Sequence, residues 1–234
     1  MNTTKNFFLF IVVHVVSHAG YTSQIGQDRY LNEHYFNNKK NGVFVDIGAY
    51  DGLDHSNTYF FEKELGWKGI CIEPHPDVFK KLCTHRSCIC INACVAPSEG
   101  TVEFIKVDGT PTMLSGMKST YDPRHLRRLE REILRDGGSC DIIDISGVTV
   151  NSVLKEYGIY EIDYLSLDTE GGELEILNSI DFDMFKIFAI TVENNFGDPA
   201  IRNLLESKGF MFITLLAHQD EVYINSIYPY IRLQ

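Results

Sequence analysis

From Gly42 onward, short apolar runs of strand length alternate with stretches of helical period. Val43–Ile47 is a continuous apolar run ending in a Gly-containing loop, and residues 58–65 (TYFFEKEL) read as helix. Residues 69–73 predict a second strand, 77–83 a helix and 88–95 a third strand. Alternation breaks over about 100–147: residues 101–107 are strand-like, 110–119 form a Gly, Pro and Ser loop, 122–136 a charged helix, and 141–145 another short strand. This stretch reads as an insertion, not a second domain. Alternation then resumes with strand 163–168, helix 173–180, strand 187–193 and helix 199–207. Two closing strands, 210–216 and 221–225, are separated by a short turn that suits an antiparallel hairpin. Strands alternating with helices imply right-handed crossovers and a mostly parallel sheet covered on both faces, so the fold class is α/β.

The N-terminus has a different grammar. One Lys in residues 1–6 precedes an apolar run over 7–16 and then Ser17-His18-Ala19, a small-residue cleavage pattern before Gly20. Residues 1–19 therefore predict a signal peptide and export, with a buried N-terminal segment of a cytoplasmic protein as the alternative. The run is too short for a transmembrane helix. Residues 20–234 are enough for one domain with a full core. The net charge of −11 disfavours a general nucleic-acid binder, whose affinity rests on Lys and Arg. Six cysteines fit no zinc spacing and are expected as buried free thiols, with a Cys83–Cys88 bridge the favoured exception.

Candidate chemistry collects at the ends of the predicted strands. The first runs into Asp46-Ile47-Gly48-Ala49-Tyr50-Asp51-Gly52, at the carboxyl edge where open α/β sheets bind ligands. A dinucleotide fold would carry three glycines there to cradle a pyrophosphate. An acid at the head of the loop suits instead a cationic ligand without phosphates, such as S-adenosylmethionine, unless the loop is a plain strand-to-helix turn. Glu73 ends the second strand, where a carboxylate can accept both ribose hydroxyls, or merely cap the following helix. Asn92 and Ala93 close the third strand, where an adenine edge could rest or a buried Asn could bind backbone.

The segment 163–175 (DYLSLDTEGGELE) delivers Asp168 and Glu170 to the same edge before two glycines turn the chain into a helix. Glu173 and Glu175 in its first turn are explained by the helix dipole; Asp168 lacks such an explanation.

The strings VFVDIGAYDG, GICIEPHP, DYLSLDTEGGELEIL and ITVENN, in this order and after SQIGQDRYL, resemble the FkbM family of methyltransferases over nearly the whole mature chain. The resemblance implies a Rossmann-like class I methyltransferase sheet of seven strands, one of them antiparallel near the end. It also implies S-adenosylmethionine as methyl donor, held by the loop of Asp46, Gly48, Tyr50 and Gly52 and by Glu73. The expected reaction is O-methylation of a hydroxyl on a small molecule or glycan, with Asp168, Glu170 and Glu193 as candidate catalytic groups. Asp168, Glu193 and Asn194, at neighbouring strand ends, could hold a Mg²⁺ ion that orients the hydroxyl and lowers its pKa. Alternatively, Asp168 is a metal-free base.

Remaining features receive plainer expectations. Arg124, Arg128, Arg131 and Arg135 share one face of the insertion helix, opposite Leu126, Leu129 and Ile133, and are read as a solvated stripe over an anion site. Trp67 should pack on the first helix. His55, His75, His85, His125 and His218 are read as surface or loop histidines, with His55 and His75 near the cofactor edge as second-rank bases. Gln24, Gln27 and Asp28 should cap the helix that follows them rather than cover the cofactor. Two other classes stay open: a non-catalytic interaction or trafficking module, as in membrane-associated chains similar to this domain, and a nicotinamide oxidoreductase, disfavoured by the missing third glycine and the terminal hairpin.

Overall fold

The computed structural model describes residues 20–227; the segment 1–19, read above as a signal peptide, lies outside the described residues. Among the described residues, eleven strands form two sheets and seven α-helices accompany them. The strands are β1 (Val43–Ile47), β2 (Lys68–Ile72), β3 (Ile89–Ile91), β4 (Cys94–Val95), β5 (Gly100–Asp108), β6 (Gly116–Met117), β7 (Ser139–Val148), β8 (Glu161–Leu167), β9 (Lys186–Glu193), β10 (Phe210–Leu216) and β11 (Asp220–Asn225). The helices are α1 (Gln27–Leu31), α2 (Tyr59–Leu65), α3 (Pro76–His85), α4 (Pro123–Asp136), α5 (Val150–Glu156), α6 (Glu173–Ser179) and α7 (Pro199–Ser207). No helix among the described residues is long and apolar enough to cross a membrane.

The large sheet has seven strands in the order β10-β11-β9-β8-β1-β2-β3. Neighbours from β9 to β3 run parallel, and β11 is antiparallel to both β9 and β10. This is the Rossmann-like α/β fold expected from the alternation, with one reversed strand near the end. Successive side chains point to opposite faces, so both faces bury apolar groups. Val45, Ile47, Ile70, Ile72, Leu165 and Leu167 fill one side. Phe44, Cys71, Tyr164 and Ala189 fill the other with Phe60, Phe61 and Trp67. Trp67 packs against Phe61 of α2, ring centroids 4.6 Å apart, as its position beside that helix predicts.

The expected third strand, 88–95, is two strands in two sheets. Its break falls at Asn92, whose amide donates to Glu73 O and Pro74 O at 2.8 and 3.0 Å, and so ties the end of β3 to the end of β2. Beyond it, Cys94–Val95 joins a four-stranded sheet, order β4-β7-β5-β6, built from the segment read as an insertion. Helix α4 closes that sheet through Leu129, which is buried with Ile105, Val107 and Leu114.

All six cysteines are free, as expected, and the exception allowed above, a Cys83–Cys88 bridge, is not formed; Cys83 and Cys140 are exposed instead of buried. Cys83 is exposed on α3, whereas the Cys88 sulfur turns inward to lie 3.6 Å from that of Cys71.

Candidate functional site

The carboxyl edge of the large sheet is built by close backbone approach. Gly48 and Ala49 donate to Ile72 O, at 3.0 and 3.1 Å, and Asp168 N donates to Ile47 O at 3.0 Å. A Cβ on Gly48 would sit 1.6 Å from Asp168 O, and its φ of +81° is one that only glycine adopts freely. Tyr50 then takes a left-handed φ of 50°, which aims its N–H at Glu73. Glu73 Oε2 accepts from Tyr50 N at 2.9 Å and Oε1 from His75 N at 2.7 Å. Burial pushes the Glu73 carboxyl up to about 8 despite those two bonds.

A cavity opens over this edge. Asp46, Gly48, Tyr50, Glu73, Ala93 and Asp168 line it from the large sheet. Phe104, Thr112, Met113 and Met117 line it from the segment joining the small sheet. Among the expected cofactor residues, Gly52 and Asn92 lie outside this lining. A Cβ on Gly52 would meet Leu82 Cδ1 at 2.5 Å and Arg86 Cγ at 2.7 Å, so that glycine serves helix packing. Asn92 is a backbone clamp, as described.

The three expected acids come together beside it. Asp168, Glu170 and Glu193 each present a carboxylate oxygen within 4.8 Å of the others. Burial and mutual repulsion hold all three well above the usual carboxylate range: Glu193 is the largest charge acting on Asp168, Asp168 on Glu170, and Glu170 on Glu193. Glu170 has a left-handed φ of 56°, and its Oε2 is buried with no hydrogen-bond partner. It stands between the first cavity and a second cleft of about 230 Å³, which Glu193, Asn194 and Phe196 also line.

Asn194 is tied to the turn that follows it. Its amide nitrogen donates to Asp198 O at 3.0 Å and its oxygen accepts from Asp198 N at 2.8 Å, so the whole side chain closes the turn before α7. Glu170 brings a third carboxylate oxygen to Asp168 and Glu193.

A family model for the methyltransferase FkbM domain matches residues 46–212. The chain belongs to the FkbM methyltransferase family. As such it is a methyltransferase that draws on S-adenosylmethionine. The FkbM chain is 27% identical over 194 residues to methyltransferase sdnD of Sordaria araneosa, covering 73% of this chain and 74% of that protein. Solved structures resemble it more loosely. TrmK from M. capricolum, in complex with S-adenosyl-homocysteine, is 12% identical, covers 89% of this chain and 71% of that one, and has a TM-score of 0.43. A precorrin-6y C5,15-methyltransferase from Geobacter metallireducens is 12% identical, covers 88% and 90%, and also has a TM-score of 0.43. Likeness at that level carries no argument about ligand or substrate.

Several residues around this edge were not legible as such. His75 is 2% exposed: its Nδ1 faces Asp77 N and Val78 N as the cap of α3, and its Nε2 lies 3.1 Å from Val107 O. Both ring nitrogens are engaged, so it is no free base. His125, expected at the surface, is buried at 3% exposure, with Nδ1 3.3 Å from Glu170 Oε2. The inward face of α4 is thus centred on His125 and Leu129, and Leu126 is 42% exposed. Within the Arg stripe, Arg124, Arg131 and Arg135 are exposed, while Arg128 is half-buried, pairs with Glu132 at 2.9 Å and feels the charges of Glu170 and Glu193. Gln24 and Gln27 line the cavity instead of capping α1, whose N-cap is Gly26 with no side-chain bond. Gln27 donates to Asp220 at 2.7 Å, which brings the lead-in and the closing hairpin to one corner of the site.

Proposed function

We propose that the chain methylates a hydroxyl oxygen on a small molecule or glycan. The observation that carries this reading is the meeting of Asp168, Glu170 and Glu193 at the junction of the two cavities. A hydroxyl becomes a competent nucleophile only when its proton is taken or its developing charge is stabilised. Carboxyls whose pKa is raised by burial and mutual repulsion are stronger bases than exposed ones and suit the first task.

The cavity residues fit S-adenosylmethionine. Glu73 uses one acceptor position on each oxygen for backbone N–H groups, which leaves others for a vicinal diol. Ala93 and Phe104 offer an apolar wall for a flat base, and Asp46 an anion for a cationic tail. Bound there, S-adenosylmethionine supplies an electrophilic methyl group. The chain's own contribution is alignment of the acceptor with that methyl and exclusion of water, with Glu170 lining both cavities.

In this reading Asp168, Glu170 and Glu193 hold a divalent cation, Mg²⁺ by the hardness of an all-carboxylate set, which supplies charge stabilisation to the acceptor oxygen. The test is transfer of labelled methyl from S-adenosylmethionine to a panel of hydroxylated acceptors, before and after chelation. Methylation of a hydroxyl that stops on chelation and returns with Mg²⁺ supports the whole reading. Full turnover without divalent ions removes the metal, and product methylated at nitrogen or carbon removes the O-methyltransferase.

A further inference from the structure

Arg86 follows α3 on the face of the large sheet that carries Phe44, Cys71 and Tyr164, and its side chain is fully buried. Its guanidinium bonds Glu62 Oε2 at 2.5 Å, Gly52 O at 3.4 Å, Ser56 Oγ at 3.1 Å and Thr58 Oγ1 at 2.9 Å. Three of those four partners belong to the segment 52–58, which supplies Asp54, His55, Ser56 and Asn57 to the wall of the first cavity. A guanidinium has donors only. Thr58 Oγ1 therefore accepts from Arg86, and its single hydrogen is directed to Asp46 Oδ2 at 2.6 Å.

The other flank of Asp46 is arranged in the same sense. Asn57 Nδ2 donates to Ser166 Oγ at 3.0 Å, so Ser166 also has its hydrogen left for Asp46, opposite it on β8. Two hydroxyls, each pinned by a donor behind it, converge on one buried carboxylate at the floor of the cavity. A carboxylic acid accepts those two hydrogens more weakly than a carboxylate does. The hydrogen-bond directions thus favour the anion at a place where burial alone disfavours it.

We infer that Arg86 is a positioning residue for the methyl donor, acting through the Thr58 hydroxyl to hold Asp46 as an oriented anion beneath the cationic part of S-adenosylmethionine. The inference rests on the cofactor reading proposed above. It separates two halves of the ligand: Glu73 serves the ribose end, and the Arg86–Thr58–Asp46 relay serves the charged end.

Calorimetry on the full chain, with S-adenosylmethionine and with neutral 5′-methylthioadenosine, tests it. In Thr58→Val, which keeps the shape and deletes the hydroxyl, the affinity for S-adenosylmethionine falls by about tenfold or more, and that for methylthioadenosine stays within roughly twofold. Thr58→Ser restores the affinity. Arg86→Lys, which keeps the charge and cannot serve four acceptors, reproduces the selective loss if Thr58→Val does not fold. Equal loss of both ligands, no loss of either, or failure of both variants to fold assigns the relay to stability and overturns the inference. A folded wild-type chain that binds neither ligand overturns the cofactor reading itself.

Discussion

His125 Nδ1 lies 3.3 Å from Glu170 Oε2, and the contact joins helix α4 to the turn after β8, 45 positions further along the chain. Burial, reinforced by Arg128, lowers the His125 pKa, while burial and Asp168 raise that of Glu170. With no cation bound, both shifts favour the neutral forms, the imidazole over the imidazolium and the carboxylic acid over the carboxylate. Imidazole NMR at pH 6.5 should show His125 mostly neutral; a mostly protonated ring would mean that Glu170 is ionised against it.

Glu73 is the test of the ribose end. Glu73→Ala removes an acceptor and leaves the N–H groups of Tyr50 and His75 without partners. We expect S-adenosylmethionine affinity to fall by about tenfold or more, with methylthioadenosine weakened as strongly because both carry the ribose. Unchanged affinity in calorimetry would take Glu73 out of the site.

Relief of the acidic cluster should stabilise the fold in a pH-dependent way. The folded-state pKa of Glu193 lies well above its unfolded value, because of burial and then of Glu170. Between those two pKa values the folded chain binds the extra proton, so stability falls as pH rises through that window. Glu193→Gln escapes this loss. Its Tm should exceed that of the wild type by roughly 2–4 °C at pH 7, the equivalent of about 1 kcal/mol, and the gain should vanish near pH 4. A gain independent of pH would assign it to packing.

Added Mg²⁺ offers a reading independent of turnover. Binding to the folded state at ten times Kd stabilises it by about 1.4 kcal/mol. Differential scanning calorimetry should show a rise in Tm for the wild type and none for Asp168→Asn; equal rises in both would place the ion elsewhere.

Gly48→Ala should be among the most damaging single changes. Its Cβ would sit 1.6 Å from Asp168 O at a φ of +81°, so β1 and β8 would have to separate. The expected cost is about 3 kcal/mol or more, a fall in Tm of roughly 6–12 °C. A Tm within 2 °C or so of the wild type would show that this edge can relax.

The elements that the sequence exposes are those whose signal is local. The apolar runs of β1, β2, β8 and β9 and the turn before β11 carry period and punctuation in the residues themselves. So do the acids at strand ends, since a strand that stops places its last polar residue at an edge. What was hidden depends on distant partners. Asn92 breaks its strand because of Glu73 O and Pro74 O, and Asn194 is consumed by Asp198. His125 sits on an amphipathic helix whose inward face could be fixed only once Glu170 and Leu114 were in place. Helix α5 went unread because its capping box pairs Thr149 with Ser152, where a Glu or Gln is the familiar signal. Arg86 gave no sign at all: a lone Arg after a helix looks like any solvent cation until four acceptors surround it.

The reversed direction of β11 has a consequence for how this site can change. Every parallel strand of the large sheet leaves the chemical edge at its C-terminal end, whereas β11 enters there, opposite Glu193, with Asp220 as its first residue. The three-residue turn before it, Ala217 to Gln219, is therefore the shortest route by which an insertion or deletion could reposition an acid at the reaction centre. Lengthening the chain at Ser226, only six residues later, would act at the opposite rim of the sheet and leave that acid where it stands.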